Sequence, residues 1–275
     1  MNEPPRILQF IIRDRRSIWI FALPSLILVC LFGLPLLALV IRGANSDFVK
    51  NALSEQSLEA LRLSLITSLV TVGVTILFGT PLAYVLARWK FRFKTWIELL
   101  IDLPVVLPPS VAGLALLIAF GRQGTFGIIF NAFGITLPFT TPAVVIAQTF
   151  VAAPLYVRAA RIGFNEIDLQ LEEAAHVEGA NQWQLFRNVM FPLAGRALVG
   201  GAILTWTRAL GEFGATILFA GNLQGVTQTM PMAIYLGFER SLGIAIALSV
   251  MLVGISTVLL LITRRLEQRS EKREQ

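Results

Sequence analysis

Five stretches of this 275-residue chain contain no charged residue and are each long enough to cross a lipid bilayer: residues 18–41, 63–87, 103–120, 139–157 and 241–263. A spanning α-helix needs about 20 mostly apolar residues, with a range of roughly 17–25. A sixth stretch, 197–220, is apolar except for Arg208 and Glu212. Hydrophobic residues make up 55% of the chain and charged residues 15%, against roughly 25% charged in soluble domains. A single soluble core cannot cover that much apolar surface without leaving large exposed patches. These proportions exclude an ordinary cytosolic enzyme, a disordered chain and a secreted disulfide scaffold. They predict an all-α, polytopic membrane protein with six transmembrane helices.

The first apolar stretch follows Arg13, Arg15 and Arg16, as a signal peptide would. At 24 residues it exceeds the roughly 7–15-residue core of such peptides, and no small-residue cleavage site closes it. It is read as a retained helix.

Basic residues orient the spans. They cluster in the N-terminal tail (Arg6, Arg13, Arg15, Arg16) and after the second stretch (Arg88, Lys90, Arg92, Lys94). Two further clusters follow the fourth stretch (Arg158, Arg161, Arg187, Arg196) and end the chain (Arg264, Arg265, Arg269, Lys272, Arg273), making 17 of the 23 Lys and Arg residues. The positive-inside tendency then predicts that both termini are cytoplasmic, in the inner (plasma) membrane. The expected organisation is a tail over 1–17, a six-helix domain over 18–263 and a second tail over 264–275. In a soluble protein the net charge of +6 would suggest nucleic acid; here the cations are better read as span flanks, and no nucleic acid partner is expected. Cys30 and His176 are the only residues of their kinds, so no intrachain disulfide, Cys–His nucleophile or Cys/His metal site is expected.

The one long connection runs over 158–196. Leu169, Leu171 and Ala174–Ala175 precede Gly179, and Trp183, Leu185, Phe186 and Val189 precede Pro192. Gly179 interrupts the helical pattern and permits a turn that a Cβ would strain. Two short helices with a bend are predicted, outside the membrane. Glu166, Asp168, Glu172, Glu173 and Glu178 make the loop partly acidic. An amphipathic linker resting on the bilayer is one reading, but anionic leaflets attract basic segments rather than acidic ones. A protein partner fits better.

Glu173-Ala174-Ala175, three residues, Gly179, nine residues, Val189, one residue and Phe191-Pro192 resembles the EAA loop of ATP-binding-cassette (ABC) importer permeases. Val189 and Phe191 stand where isoleucine and leucine are usual. The resemblance implies a type I importer permease fold with a coupling helix, roughly 171–183, docking on a cytoplasmic ATPase dimer. It implies ATP and Mg on that partner and no cofactor held by this chain. Glu173, Ala174, Ala175, Gly179, Val189 and Pro192 are the candidate coupling residues.

Residues 207–216, Ala220-Gly221-Asn222 and 225–231 resemble the permeases of molybdate importers, a group that also contains sulfate and tungstate permeases. The implied cargo is an oxyanion, molybdate first, delivered by a periplasmic or extracellular binding protein. The extra N-terminal span is more similar to the sulfate branch.

Arg208 and Glu212 are four apart, hence on one face of a helix, and a charge inside a span usually faces a bundle interior or an aqueous cavity. They form either a mutual ion pair that holds the span or an oxyanion contact that Glu212 keeps weak enough to release. Asn222, Thr227, Gln228 and Thr229 are uncharged donors at the outer end of that span: a solvated turn, or an outer gate or binding-protein dock near a two-fold axis. Pro104, Pro108 and Pro109 predict a kink in the third span.

No G-x-x-x-x-G-K-[ST] loop occurs, so ATP would be hydrolysed by a partner and not by that route here. Six helices suit half of a symmetric pathway, hence a homodimer in membrane lipid. The alternative class, a secondary transporter or channel, predicts inverted repeats or buried titratable groups; no internal repeat is evident. A membrane enzyme is a third class, with no catalytic residues to assign.

Overall fold

A computed structural model describes residues 15–45 and 47–274, with side chains for 21–45, 47–262 and 265. The tail cations Arg6 and Arg13 lie outside the described residues. Among the described residues the secondary structure is helical, without strands. Four helices are long and apolar enough to cross a membrane, or up to six if the bent pairs Lys94–Val106 with Pro109–Phe120 and Gln182–Leu193 with Gly195–Leu210 are each one span.

The chain divides into two units at Phe48. The first unit is built on α1 (Arg15–Gly43), which contains Pro24 and Pro35. Phe21, Val29, Phe32 and Ile41 are exposed along it, as expected of a helix whose solvent is hydrocarbon.

The second unit is organised on α2 (Glu55–Arg88). Ser54 starts the helix, its hydroxyl accepting from the Ser57 amide at 3.4 Å. The buried face of α2 is Ser57, Ala60, Ser64, Thr67, Ser68, Thr71, Thr75, Gly79, Thr80 and Ala83, whereas Leu69, Val70, Leu77 and Phe78 are exposed. This is the reverse of a soluble amphipathic helix. In lipid no hydrophobic force draws helices together, so small residues that allow close approach and polar residues that bond across helices make the interface.

The bonds follow that face in order. The Met230 amide donates to Ser64 Oγ at 2.7 Å, and Trp206 Nε1 donates to Ser68 Oγ at 2.9 Å. Thr71 Oγ1 donates to Gln148 Oε1 at 3.1 Å, and the Thr80 and Tyr156 hydroxyls lie 2.6 Å apart. They tie α2 to α5 (Thr141–Asn165), α8 (Gly195–Leu210) and α10 (Met230–Arg240), whose ranges enclose those partners.

Two expected spans are broken. The stretch 103–120 belongs to α3 (Lys94–Val106) and α4 (Pro109–Phe120), which meet at 119°. The expected kink is present as a break between two helices. Pro104 lies inside α3, and the break comes at Leu107–Pro108, with Pro109 at the first position of α4. The residue before a proline is steered away from α geometry, and Leu107 (ψ 138°) and Pro108 (ψ 134°) are extended in turn.

The stretch 197–220 is likewise not one helix. It divides into α8, which ends at Leu210, and α9 (Gly214–Phe219). The chain ends in α11 (Leu242–Glu274), which remains helical beyond the apolar stretch. The break before α9 allows α4 and α9 to touch backbone to backbone: a Cβ on Gly113 would sit 2.7 Å from the Ala215 carbonyl oxygen.

Candidate functional site

The segment after α5 is a helix–turn–helix with caps at both ends of its first helix and at the start of its second. Asp168 accepts from the Gln170 amide at 3.0 Å and starts α6 (Leu169–Val177). The helix closes when the Ala180 amide donates to the Ala175 carbonyl at 2.9 Å and the Gly179 amide to the His176 carbonyl at 3.0 Å. That pair of bonds requires a left-handed residue, and Gly179 has φ +86°. Asn181 then starts α7 (Gln182–Leu185) with a reciprocal capping box to Gln184, both bonds 2.9 Å. The predicted bend at Gly179 is present, and it shortens the helix expected over 171–183, which ends at Val177.

Beyond α7 the helix widens to a π turn over Phe186–Met190, where the Phe191 amide donates to the Phe186 carbonyl. Pro192 follows immediately. It lies at the start of the short helix Phe191–Leu193, where a proline's missing N–H is tolerated.

Two sets of contacts fix this loop to the spans. Arg88 Nε lies 2.7 Å from Glu172 Oε1, both side chains largely buried. Arg88 also donates through Nη2 to the Ile167 carbonyl at 2.7 Å. Beside it, Tyr84 of α2 packs edge-on against Phe164 of α5 (5.4 Å) and Phe186 (5.0 Å), and Trp183 stacks on Phe186 at 5.8 Å. Such pairs contribute about 0.5–1.5 kcal/mol each beyond the area they bury.

Of the six loop residues singled out in sequence, Ala175 and Val189 pack against the core around Tyr156, Phe164 and Met190. Glu173, Ala174, Gly179 and Pro192 are exposed. Leu171, Val177 and Trp183 are exposed on the same helix–turn–helix, Val177 at 89%. Sequence reasoning named neither Arg88 nor Glu172 as a pair; their separation of 84 residues left no local signal.

Two further ion pairs hold α3 against the end of α5. Arg161 Nη1 lies 2.6 Å from Glu98 Oε1, and Arg158 Nε lies 2.6 Å from Asp102 Oδ1. Glu98 and Asp102 are therefore occupied by helix docking.

The second candidate region is the break between α8 and α9. Arg208 Nη1 lies 2.6 Å from Glu212 Oε2; Glu212 is 1% exposed and Arg208 34%. The pair was expected on one continuous helix, but α8 stops at Leu210 and the two side chains bridge its end. Glu212 Oε1 also accepts from the Ala215 amide at 2.9 Å, satisfying a donor that the start of α9 leaves unpaired. The ion pair expected in the first of the two readings is thus present, and Glu212 spends both oxygens on the break. The Arg208 side chain stays partly exposed.

The donors after α9 are mostly turned inward, which corrects the reading of a solvated turn. Thr227, Gln228 and Thr229 are buried. Thr227 Oγ1 accepts from the Leu223 amide at 2.9 Å, and Gln228 Nε2 donates to Asn222 Oδ1 at 3.0 Å. Gln56 Nε2 donates to Gln228 Oε1 at 3.4 Å, bringing the start of α2 into the same network. Gly221 makes the bend possible: its φ is +71°, and a Cβ there would lie 2.6 Å from the Phe139 ring. Among the described residues no group of His, Cys, Asp and Glu is arranged to hold a metal ion.

Residues 79–272 match the family described as "Binding-protein-dependent transport system inner membrane component". The chain is 39% identical over 243 residues to the molybdenum transport system permease protein ModB of Mycobacterium tuberculosis, covering 88% of this chain and 92% of that one. It is 37% identical over 232 residues to the probable transport system permease protein NifC of Clostridium pasteurianum (84% and 81%). It is 35% identical over 263 residues to the sulfate transport system permease protein CysW of Synechococcus elongatus (90% and 91%). The fold matches a chain in the crystal structure of a bacterial ABC transporter involved in the import of the acidic polysaccharide alginate. There the TM-score is 0.73 at 18% identity, over 98% of this chain and 99% of that one.

Proposed function

The chain belongs to the family of binding-protein-dependent transport system inner membrane components, as a permease subunit of an ABC importer, and we propose that it passes molybdate inward as half of a homodimer driven by a separate ATPase dimer. The single observation that carries the energy-coupling part is the capped helix–turn–helix of α6 and α7. It presents Leu171, Ala174, Val177 and Trp183 outward while Arg88 and Tyr84 bind its other side to α2.

A cleft on the ATPase takes the exposed apolar side chains of α6–α7. When the ATPase subunits close, the capped turn moves as a unit. The Arg88–Glu172 pair and the aromatic contacts pass that movement to α2 and α5. The broken helix pair α8–α9 lies downstream, with Arg208 beside the translocation pathway and the 222–229 network at its outer gate, where the binding protein delivers its ion. ATP and Mg reside on the partner. In this arrangement six segments cross the membrane, both termini are cytoplasmic, α3–α4 contributes one broken span, and α8 contributes to another.

Molybdate is favoured by the identity to ModB. Sulfate is the second reading, supported by the CysW likeness, which extends over more of this chain; tungstate shares the same tetrahedral geometry. Coupling is tested by co-purifying the full chain with its ATPase subunit. Val177→Asp or Trp183→Asp, on exposed sites, is expected to abolish co-purification without altering the size-exclusion profile. Undiminished co-purification would contradict the docking surface.

A further inference from the structure

Between α2 and α3 the chain reads Trp89-Lys90-Phe91-Arg92-Phe93-Lys94-Thr95-Trp96, cations alternating with aromatics and no acid until Glu98. Trp89, Phe93 and Trp96 are exposed, Trp96 at 70%. Among the described residues Lys90, Arg92 and Lys94 have no ion pair, although Arg88, Arg158 and Arg161 nearby all do. The start of α3 adds to the same sign: Phe93 provides no side-chain cap, and the first turn contains no acid. An uncapped helix start carries partial positive charge.

The remainder of α3 shows what medium this end meets. Its inner side is Ile97, Glu98, Ile101 and Asp102, which pack on the core and pair with Arg161 and Arg158. Its outer side is Trp96, Leu99, Leu100 and Leu103, all exposed, at the helical spacing of one continuous stripe. An apolar stripe with cations and aromatic rings at one end has the chemistry of a membrane interface: rings sit at headgroup level, and Lys and Arg meet phosphate.

We propose that Trp89–Trp96 is a binding site for anionic phospholipid headgroups, with Lys90, Arg92 and Lys94 meeting the phosphate and Trp89, Phe93 and Trp96 seated among the upper acyl chains. The site is contiguous with Arg88, so a bound lipid fixes the segment from which Arg88 reaches Glu172. Headgroup binding is independent of the transported ion and of the ATPase, so the full chain reconstituted alone suffices to test it.

Native mass spectrometry of the chain released from nanodiscs of mixed phosphatidylcholine and phosphatidylglycerol reads the lipids retained. Phosphatidylglycerol is expected in excess over its share of the disc. Each cation replaced by glutamine is expected to reduce that preference about fivefold, from the attraction of one basic residue to an anionic surface. Lys90→Gln/Arg92→Gln/Lys94→Gln loses it, while Lys90→Arg/Arg92→Lys/Lys94→Arg and Lys50→Gln, in the short helix Phe48–Ala52 that precedes α2, keep it. Equal retention of the two lipids by the unaltered chain would overturn the proposal. So would an unchanged preference in the glutamine variant, or displacement of the lipid by inorganic phosphate, which would make the segment a site for soluble anions.

Discussion

Arg88 Nε lies 2.7 Å from Glu172 Oε1, joining the last turn of the longest described helix to the first turn of α6. The two helices share this contact, the Arg88 bond to the Ile167 carbonyl and the Tyr84–Phe186 ring pair. A force on α6 thus reaches α2 through a charged contact that water barely enters.

Removing one partner of such a pair leaves the other buried and uncompensated, at a cost on the order of 3 kcal/mol. Glu172→Ala is expected to lower the thermal unfolding midpoint in detergent and to abolish stimulation of the ATPase. Arg88→Ala/Glu172→Ala is expected to be less destabilised than the sum of the single variants, with a coupling of about 1–3 kcal/mol in the cycle. Additive effects would show that the contact transmits nothing.

Gly113 tests the close approach of α4 and α9. A Cβ there meets the Ala215 backbone at 2.7 Å, whereas one on Gly73 meets nothing within 4 Å. Gly113→Ala is expected to destabilise the chain by about 1–3 kcal/mol and to reduce uptake. Gly73→Ala is expected to be neutral in both measurements.

Tyr156→Phe removes the hydroxyl that lies 2.6 Å from Thr80 Oγ1. Interhelical bonds in membranes average about 0.6 kcal/mol and reach about 1.7. A loss in that range, read from unfolding in mixed micelles, is expected, with no further loss when Thr80→Val is added.

Arg208 and Glu212 should part company in function. Glu212→Gln keeps an oxygen for the Ala215 amide and so is expected to preserve the α8–α9 break. Arg208→Gln removes the guanidinium and is expected to reduce oxyanion uptake about tenfold, or about 1.4 kcal/mol, at normal expression. Normal uptake would make Arg208 a purely structural partner of Glu212.

Thr227 is 0% exposed, while Gln224 is exposed. In variants carrying a single added cysteine, Gln224→Cys is expected to react promptly with a membrane-impermeant maleimide and Thr227→Cys to react slowly. If the 222–229 network is a gate, nucleotide will change the Thr227→Cys rate; indifference to nucleotide counts against the gate.

Periodicity and charge placed most of the long helices. The uncharged stretch 63–87 lies within α2, and all but the first residue or two of 139–157 and 241–263 lie within α5 and α11, because hydrocarbon solvent leaves a plain record in composition. The Gly179 turn was also legible, since only one residue type adopts that φ without strain. The breaks were harder to place. Pro108 and Pro109 gave a local signal for the α3–α4 bend, but the pairing of Glu98 and Asp102 with arginines some sixty residues away, which docks α3 on α5, did not. At the end of α8 Gly211 directly follows Leu210, a helix-stop signal, but Arg208 and Glu212 fit an unbroken helix equally well. Arg88–Glu172 left no local trace, and 227–229 read as a surface turn because the partners of Gln228, Asn222 and Gln56, lie in a bend and on another helix.

The most direct measurement is ATP hydrolysis and ion uptake in proteoliposomes containing the permease, its ATPase and its binding protein, with molybdate, tungstate or sulfate as the only oxyanion. The account predicts that molybdate accelerates hydrolysis and enters the vesicles, and that Glu172→Ala abolishes both effects. Uptake that proceeds without the ATPase, or stimulation by sulfate with none by molybdate, would contradict it.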